Sequence, residues 1–310
     1  MSDGASFDIV AIGEPLYELN QQPDGRYLPG FGGDTLNVAI AAARLGAKSA
    51  YITRLGGDIF GDALRDLMIR ERIDDRGVAR NAMAPTGLYF VTHGPAGHVF
   101  TYRRGGSAAS LITPAGLDRS LLSSARFLHA SGISQAISKT AAETVMAAID
   151  FACDEGVAIS YDTNFRAGLW SAADAWPVIR AAAGRASILK TSAEDCAALI
   201  GIAEPEAIAR QFLDIGAKAV VVTLGRDGVL LATAEERLRI PGYPVAAVDA
   251  TGAGDAFTGA LLAELSSEQS AADAARFANA AAACSTRGFG AIAPLPNRGE
   301  VDTFLAAQGD

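Results

Sequence analysis

Short apolar runs alternate with stretches of helical periodicity along most of the chain. Phe7-Asp8-Ile9-Val10-Ala11-Ile12-Gly13 reads as a buried first strand ending at glycine. The pattern then predicts a helix over 35–45 stopped by Gly46, a strand over 49–54, and a helix carrying Leu64, Leu67 and Met68. Gly56-Gly57-Asp58 before that last helix reads as its cap. Farther on, strands are expected at 127–131, 157–162, 188–190 and 218–224, with a helix over 139–155 closed by Gly156. Such alternation implies right-handed βαβ units and a mostly parallel sheet between helical layers. Ligands of open sheets of this kind sit beyond the carboxyl ends of the strands, where Asp162, Lys190 and Gly225 fall.

Two stretches break the alternation. Residues 17–30 are polar with a turn signal at Pro23-Asp24-Gly25. Residues 87–93 and 98–103, joined by Gly94-Pro95-Ala96-Gly97, have the composition of a hairpin. Together they predict a small sheet standing off the main one. Isolated hairpins are marginal in water, which gives this sheet a motive to pair with a second subunit. Near the other end, the strand-like Tyr243-Pro244-Val245-Ala246-Ala247-Val248 leads into Asp249-Ala250-Thr251-Gly252-Ala253-Gly254-Asp255. A helix follows, with Phe257, Leu261 and Leu265 at helical spacing.

That last junction carries candidate chemistry. Two glycines at a helix start let the backbone approach a ligand without a Cβ in the way. The first amides of the helix lack partners and the dipole is positive there, which suits phosphate. Asp255 places a carboxylate beside the anion, where electrostatics alone would not choose one. It makes sense as a base that takes a proton from a hydroxyl attacking the phosphoryl group. An ordinary N-cap is the alternative.

Composition narrows the class. A chain of 310 residues, half of them hydrophobic, accommodates one large α/β domain or a domain with a small lid. Its formal charge of −9, with no Lys/Arg block, argues against a nucleic-acid surface and requires local groups to hold any anionic ligand. Cys153, Cys196 and Cys284 are widely spaced, as expected of reduced thiols in a cytoplasmic protein. His93, His98 and His129 have no ligand spacing. Residues 1–8 lack the pattern of a signal peptide, and no uncharged apolar run approaches the roughly 18 residues of a membrane span. The first strand is followed by Glu14-Pro15-Leu16-Tyr17-Glu18-Leu19, with Glu14 and Glu18 read as loop charges, and not by a dinucleotide fingerprint. No P-loop motif occurs, nor a linker, repeat or low-complexity tract.

Asp249 to Asp255 resembles the second signature of the ribokinase (PfkB) family of sugar kinases, and Gly32-Gly33-Asp34-Thr35-Leu36-Asn37-Val38-Ala39 resembles its first. The two occur in the expected order. The resemblance implies a three-layer αβα ribokinase-like fold spanning 1–310 as one domain, with a lid formed by about 15–31 and 86–110 that covers the sugar and makes a dimer contact. It implies that Asp255 is the base and that the amides of Gly252, Ala253 and Gly254 stabilise phosphate charge. Gly32 and Gly33 would contact the sugar, with Asp34 and Asn37 bonding its hydroxyls; Asp34 as an N-cap stays open. Lys190-Thr191-Ser192-Ala193-Glu194 is similar to a family segment carrying Lys, Asn and Glu, with Ser192 where Asn is usual. Glu194 would meet Mg²⁺ through water, or be a plain first-turn carboxylate. Thr223-Leu224-Gly225-Arg226-Asp227-Gly228 resembles T-L-G-x-x-G beside the nucleotide, and also fits a hairpin turn. Thr251 completes the nucleotide set, and Asn279 lies on an Ala-rich helix that would face adenine or merely pack tightly.

For the acceptor, Tyr102-Arg103 followed by Ser107-Ala108-Ala109-Ser110 resembles 2-keto-3-deoxygluconate kinases, with Tyr89 beside it on the lid. Asp162-Thr163-Asn164-Phe165-Arg166 through Trp170 resembles a motif shared by those enzymes and fructokinases. Arg103 and Arg166 in one pocket would suit a sugar acid, since guanidinium binds carboxylate in a fork. As edge-strand charges, lid arginines would only discourage aggregation. Thr101 and the longer Arg104-Gly105-Gly106 depart from the pattern. The expected activity is transfer of the γ-phosphoryl of ATP, with Mg²⁺, to a primary hydroxyl of 2-keto-3-deoxygluconate, giving the 6-phosphate. Fructokinase or another sugar kinase is the alternative, and a non-catalytic nucleotide or sugar binder lies in a different class. Some family members also bind a monovalent cation such as K⁺.

Overall fold

The protein's structure, a computed structural model, describes residues 5–94 and 97–309. Pro95 and Ala96 of the expected hairpin turn, and residues 1–4, lie outside the described residues. The chain first forms β1 (Phe7–Ile12), β2 (Leu16–Gln21), β3 (Tyr27–Gly32), β4 (Ser49–Gly56) and β5 (Asp74–Asn81). β6 (Leu88–Gly94), β7 (Gly97–Arg103), β8 (Ala125–Ser131), β9 (Ala158–Asp162) and β10 (Ile188–Ser192) follow. The last are β11 (Ala219–Thr223), β12 (Val229–Ala232) and β13 (Arg237–Ile240).

Among the described residues the central sheet has the order β13-β12-β11-β10-β9-β8-β1-β4-β5. Strands from β11 through β5 pair in parallel, and β12 and β13 add an antiparallel edge. Successive strand residues face opposite layers. Ile9 and Phe127 therefore join Phe257 and Leu261 on one side, while Val10 and Leu128 join Ile149 and Phe212 on the other. Those two cores make three layers, the parallel sheet between helical layers that the alternation implied and the ribokinase-like α/β fold that the resemblance implied. The chain leaves β1 toward β4 on one side and β8 on the other, which opens a crevice at the carboxyl ends.

The second sheet has the order β3-β2-β6-β7. Its two hairpins are antiparallel, as composition implied, but they join through a parallel β2–β6 pair. Leu16, Tyr89 and Val91 are buried together, whereas Tyr27, Leu28, Val99, Phe100 and Tyr102 are exposed.

Residues 243–248, β5 and β13 differ from expectation. Residues 243–248 are not a strand: Pro244 has no N–H to donate to a ladder, and Val248 N donates at 2.7 Å to Thr286 O in a loop. β5 was not foreseen, because Asp-Asp-Arg-Gly-Val-Ala-Arg-Asn has the charged composition of a protected sheet edge. Asp58 does cap the helix Ile59–Arg70, accepting from Gly61 N at 2.8 Å.

Helices Asp34–Arg44 and Ala253–Ser266 carry the two signature segments and touch backbone to backbone. A Cβ on Gly259 would lie 2.6 Å from both Ala41 Cβ and Val38 O. Gly259→Val should therefore overpack this contact, costing roughly 1–3 kcal/mol, and should separate Asn37 from Asp255. A lower denaturant midpoint together with lower turnover is expected; an unchanged midpoint would show that the helices are free to part.

Candidate active site

The helix Ala253–Ser266 begins at Gly252, whose φ of 76° lies in the left-handed region that glycine favours. Gly252 occupies the N-cap position without a side-chain cap, so Asp255 is not the cap. Asp255 sits in the first turn and accepts a hydrogen bond from Asn37 Nδ2 at 2.8 Å. Asn37 Oδ1 is buried and makes no hydrogen bond. Asp34 is likewise not a cap, since Gly33 holds that position, and it accepts from Asn164 Nδ2 at 2.9 Å. Asn164 in turn bonds through its backbone N to Asp162 Oδ1 at 3.1 Å, and Asp162 Oδ2 takes Lys190 Nζ at 2.8 Å. A Cβ on Gly254 would stand 2.8 Å from that same ammonium.

Three carboxylates and one ammonium thus share the crevice. Burial, then the charge of Asp34, pushes Asp255 up to about 7, against the pull of Lys190 and Asn37. Burial pulls Lys190 down, but Asp162 and Asp255 outweigh it and keep the ammonium charged. Burial lowers His129 to about 4, so this neighbour is neutral, with Nδ1 3.0 Å from Ser160 Oγ. A carboxylate titrating near neutrality beside free helix amides can take a proton as phosphate charge develops.

On the acceptor side, Gly32 faces Tyr89, whose hydroxyl donates to Glu18, and Gly33 has φ 114°. Tyr102 stacks on Tyr89 with ring centroids 5.8 Å apart. Arg103 is exposed, with Nη1 on the Tyr102 carbonyl. Arg166 is half-exposed and pairs with Asp195 at 3.2 Å. The guanidinium that turns inward is that of Arg104, whose Nε donates to Glu14 Oε2 at 2.6 Å. Glu14 and Glu18 are buried, not loop charges.

On the other side lies a cleft of about 670 Å³ lined by Thr223, Gly225, Gly228, Ala253, Gly254 and Asn279, among others. A Cβ on Gly228 would meet Ile240 O at 2.1 Å, so the turn requires glycine. Asn279 both lines the cleft and ties down the carbonyls of Ile240 and Pro241, at 3.4 and 3.2 Å. Thr223 Oγ1 donates to Thr191 O at 3.2 Å, and Thr251 folds onto Asp249 Oδ1 through its N and Oγ1. Ser192 caps the helix Ala193–Ile200, where Glu194 is exposed in the first turn.

Residues 6–298 match the family model described as pfkB family carbohydrate kinase. The chain belongs to the pfkB family. Among its relatives, probable fructokinase-5 of Arabidopsis thaliana is 34% identical over 97% of this chain and 98% of the relative. Two solved pfkB-fold structures extend the likeness. Fructokinase with bound ATP from Xylella fastidiosa superposes with TM-score 0.89 at 27% identity, over 98% of this chain and 99% of that one. Fructokinase from Vibrio cholerae O395, in a fructose, ADP and calcium ion bound form, gives TM-score 0.88 at 31% identity, over 96% and 98%. These relatives are named for fructose and not for the sugar acid that the lid motifs suggested.

Asp255→Asn should lower kcat by about 10²–10⁴-fold and leave ATP binding, measured by equilibrium titration, nearly unchanged. In the unmodified protein the acid limb of kcat/KM should rise with pH and level off near 7, where the carboxylate ionises. The folded-state value lies above the 3.8 of an ordinary aspartate, so this group favours the fold while protonated and its contribution is lost between about 4 and 7. The Asn variant should consequently melt higher at pH 8. Normal turnover by it would remove Asp255 as the base.

Proposed function

We propose that this pfkB-family kinase transfers the γ-phosphoryl group of ATP to a primary hydroxyl of fructose. The hydrogen bond between Asn37 and Asp255 carries the reading: it joins the acceptor segment to a proton acceptor at the phosphate end of the nucleotide-sized cleft. Asp255 would accept the hydroxyl proton, and the amides of Gly252, Ala253 and Gly254 would stabilise charge on the transferred group. Gly32, Gly33, Asp34 and Asn37 would hold the sugar. Thr223, Gly225, Gly228, Thr251 and Asn279 would border the nucleotide, with Lys190 beneath the anion-binding turn.

Among the described residues no group of three or more His, Cys, Asp or Glu could hold a metal by itself. The exposed Glu194 nonetheless fits a water-mediated contact to Mg²⁺ carried on the phosphates, which supplies charge neutralisation there. A neutral acceptor suits the arginines better than a sugar acid does. Arg104 is already balanced by Glu14 and Arg166 by Asp195, and Arg103 is exposed. The small sheet would act as a lid that excludes water, and its exposed Leu28 and Val99 would meet a second copy of the chain.

Purified protein given ATP·Mg²⁺ and a panel of fructose, 2-keto-3-deoxygluconate, ribose and a nucleoside should release ADP fastest with fructose, with kcat/KM about tenfold or more above the rest. A preference for 2-keto-3-deoxygluconate would overturn the acceptor, and no sugar-dependent ADP with any of them would leave a binding protein. Light scattering should give a dimer mass that falls to the monomer in Leu28→Glu/Val99→Glu; a monomer from the start would refute the lid contact.

A further inference from the structure

The chain crosses between the two sheets at four places, and all of them converge on one residue, Glu14. The first crossing, from β1 to β2, contains Glu14 itself. The second, from β3 into the helix Asp34–Arg44, brings Gly33 so close that a Cβ there would stand 2.5 Å from Glu14 O. At the third, from β5 to β6, a Cβ on Gly87 would stand 2.7 Å from Glu14 Oε1. The fourth, leaving β7, delivers Arg104 Nε to Oε2 at 2.6 Å and the Ser107 hydroxyl to Oε1. The side chains of Glu14 and Arg104 are only 1% and 11% exposed, so water screens the pair little.

We infer that Glu14, acting through Arg104 and Ser107, is a positioning residue that seats the small sheet over the acceptor segment and thereby sets sugar affinity. The inference rests on the fructokinase reading for its choice of sugar. Its physical basis is that a buried ion pair with several hydrogen bonds has one good geometry, and removing one partner leaves the other charge uncompensated. Both bonded partners lie immediately after the last strand of the small sheet, and the carbonyl of Glu14 abuts the glycine pair expected to meet the sugar. A shift at this junction therefore moves Tyr89 and Gly32–Gly33 relative to Asn37 and Asp255. The nucleotide cleft, formed by residues between 223 and 286, shares no wall with it.

Two variants separate positioning from mere stability. In Arg104→Gln the carboxyl of Glu14 can take a proton, because burial already raises it above the usual carboxylate range, and the fold is retained. Glu14→Gln/Arg104→Gln removes both charges, so no buried charge is left unpaired. The expected result is a fructose KM raised about tenfold or more in both, an ATP KM within about twofold of the unmodified protein, and a larger share of ADP released without sugar. The double variant should melt close to the unmodified protein and yet keep the raised fructose KM. A fructose KM that is unchanged in either folded variant, or that recovers along with the melting temperature in the double one, overturns the inference. So does an ATP KM that climbs in step with the sugar's. If the unmodified protein instead prefers another sugar, the acceptor reading fails, and the same KM comparison is made with the sugar it uses.

Discussion

The proposed proton acceptor, Asp255, stands within a crowd of negative charge. Asp255 shares its crevice with Asp34 and Asp162, and the end of its helix is shaped to attract phosphate. Left alone, such a carboxylate would stay protonated and useless as a base. The ammonium of Lys190 lies 2.8 Å from Asp162 and beside Gly254, close enough to favour ionisation of Asp255. The helix terminus adds roughly half a positive charge. The balance leaves Asp255 near 7, able to lose and regain a proton at little cost.

The rest of the fold serves that balance. The parallel strands deliver Asp162 and Lys190 to one edge, and the two packed helices bring in Asp34, Asn37 and Asp255. Asn164 holds the arrangement together: with φ at 34° it aims its amide at Asp34 while its backbone N caps Asp162. A non-glycine residue in that region of backbone space is uncommon and persists where its surroundings hold it.

Much of this was legible in the chain. The alternating apolar runs predicted the sheet, and the glycine–aspartate segments predicted where two elements would meet. What escaped depended on partners far apart in sequence. Glu14 looks like a loop charge until Arg104 and Ser107, on a strand exit some 90 residues farther on, close around it. The choice between Arg103 and Arg104 turned on one residue of offset, and neighbouring positions at a strand end face opposite ways. β5 was hidden by its charge, and residues 243–248 had a strand's composition but form a loop. The parallel join of the two hairpins has no local signal at all.

Backbone contact at Gly259 makes the walls of the crevice unequal. Where two main chains touch, the gap between Asn37 and Asp255 is inherited from the peptide framework and cannot be widened by trimming side chains. The opposite wall is built of tyrosines and an ion pair, whose reach depends on side chains. A larger or smaller acceptor is therefore most readily accommodated by redesigning that yielding wall, with the reacting groups left in register.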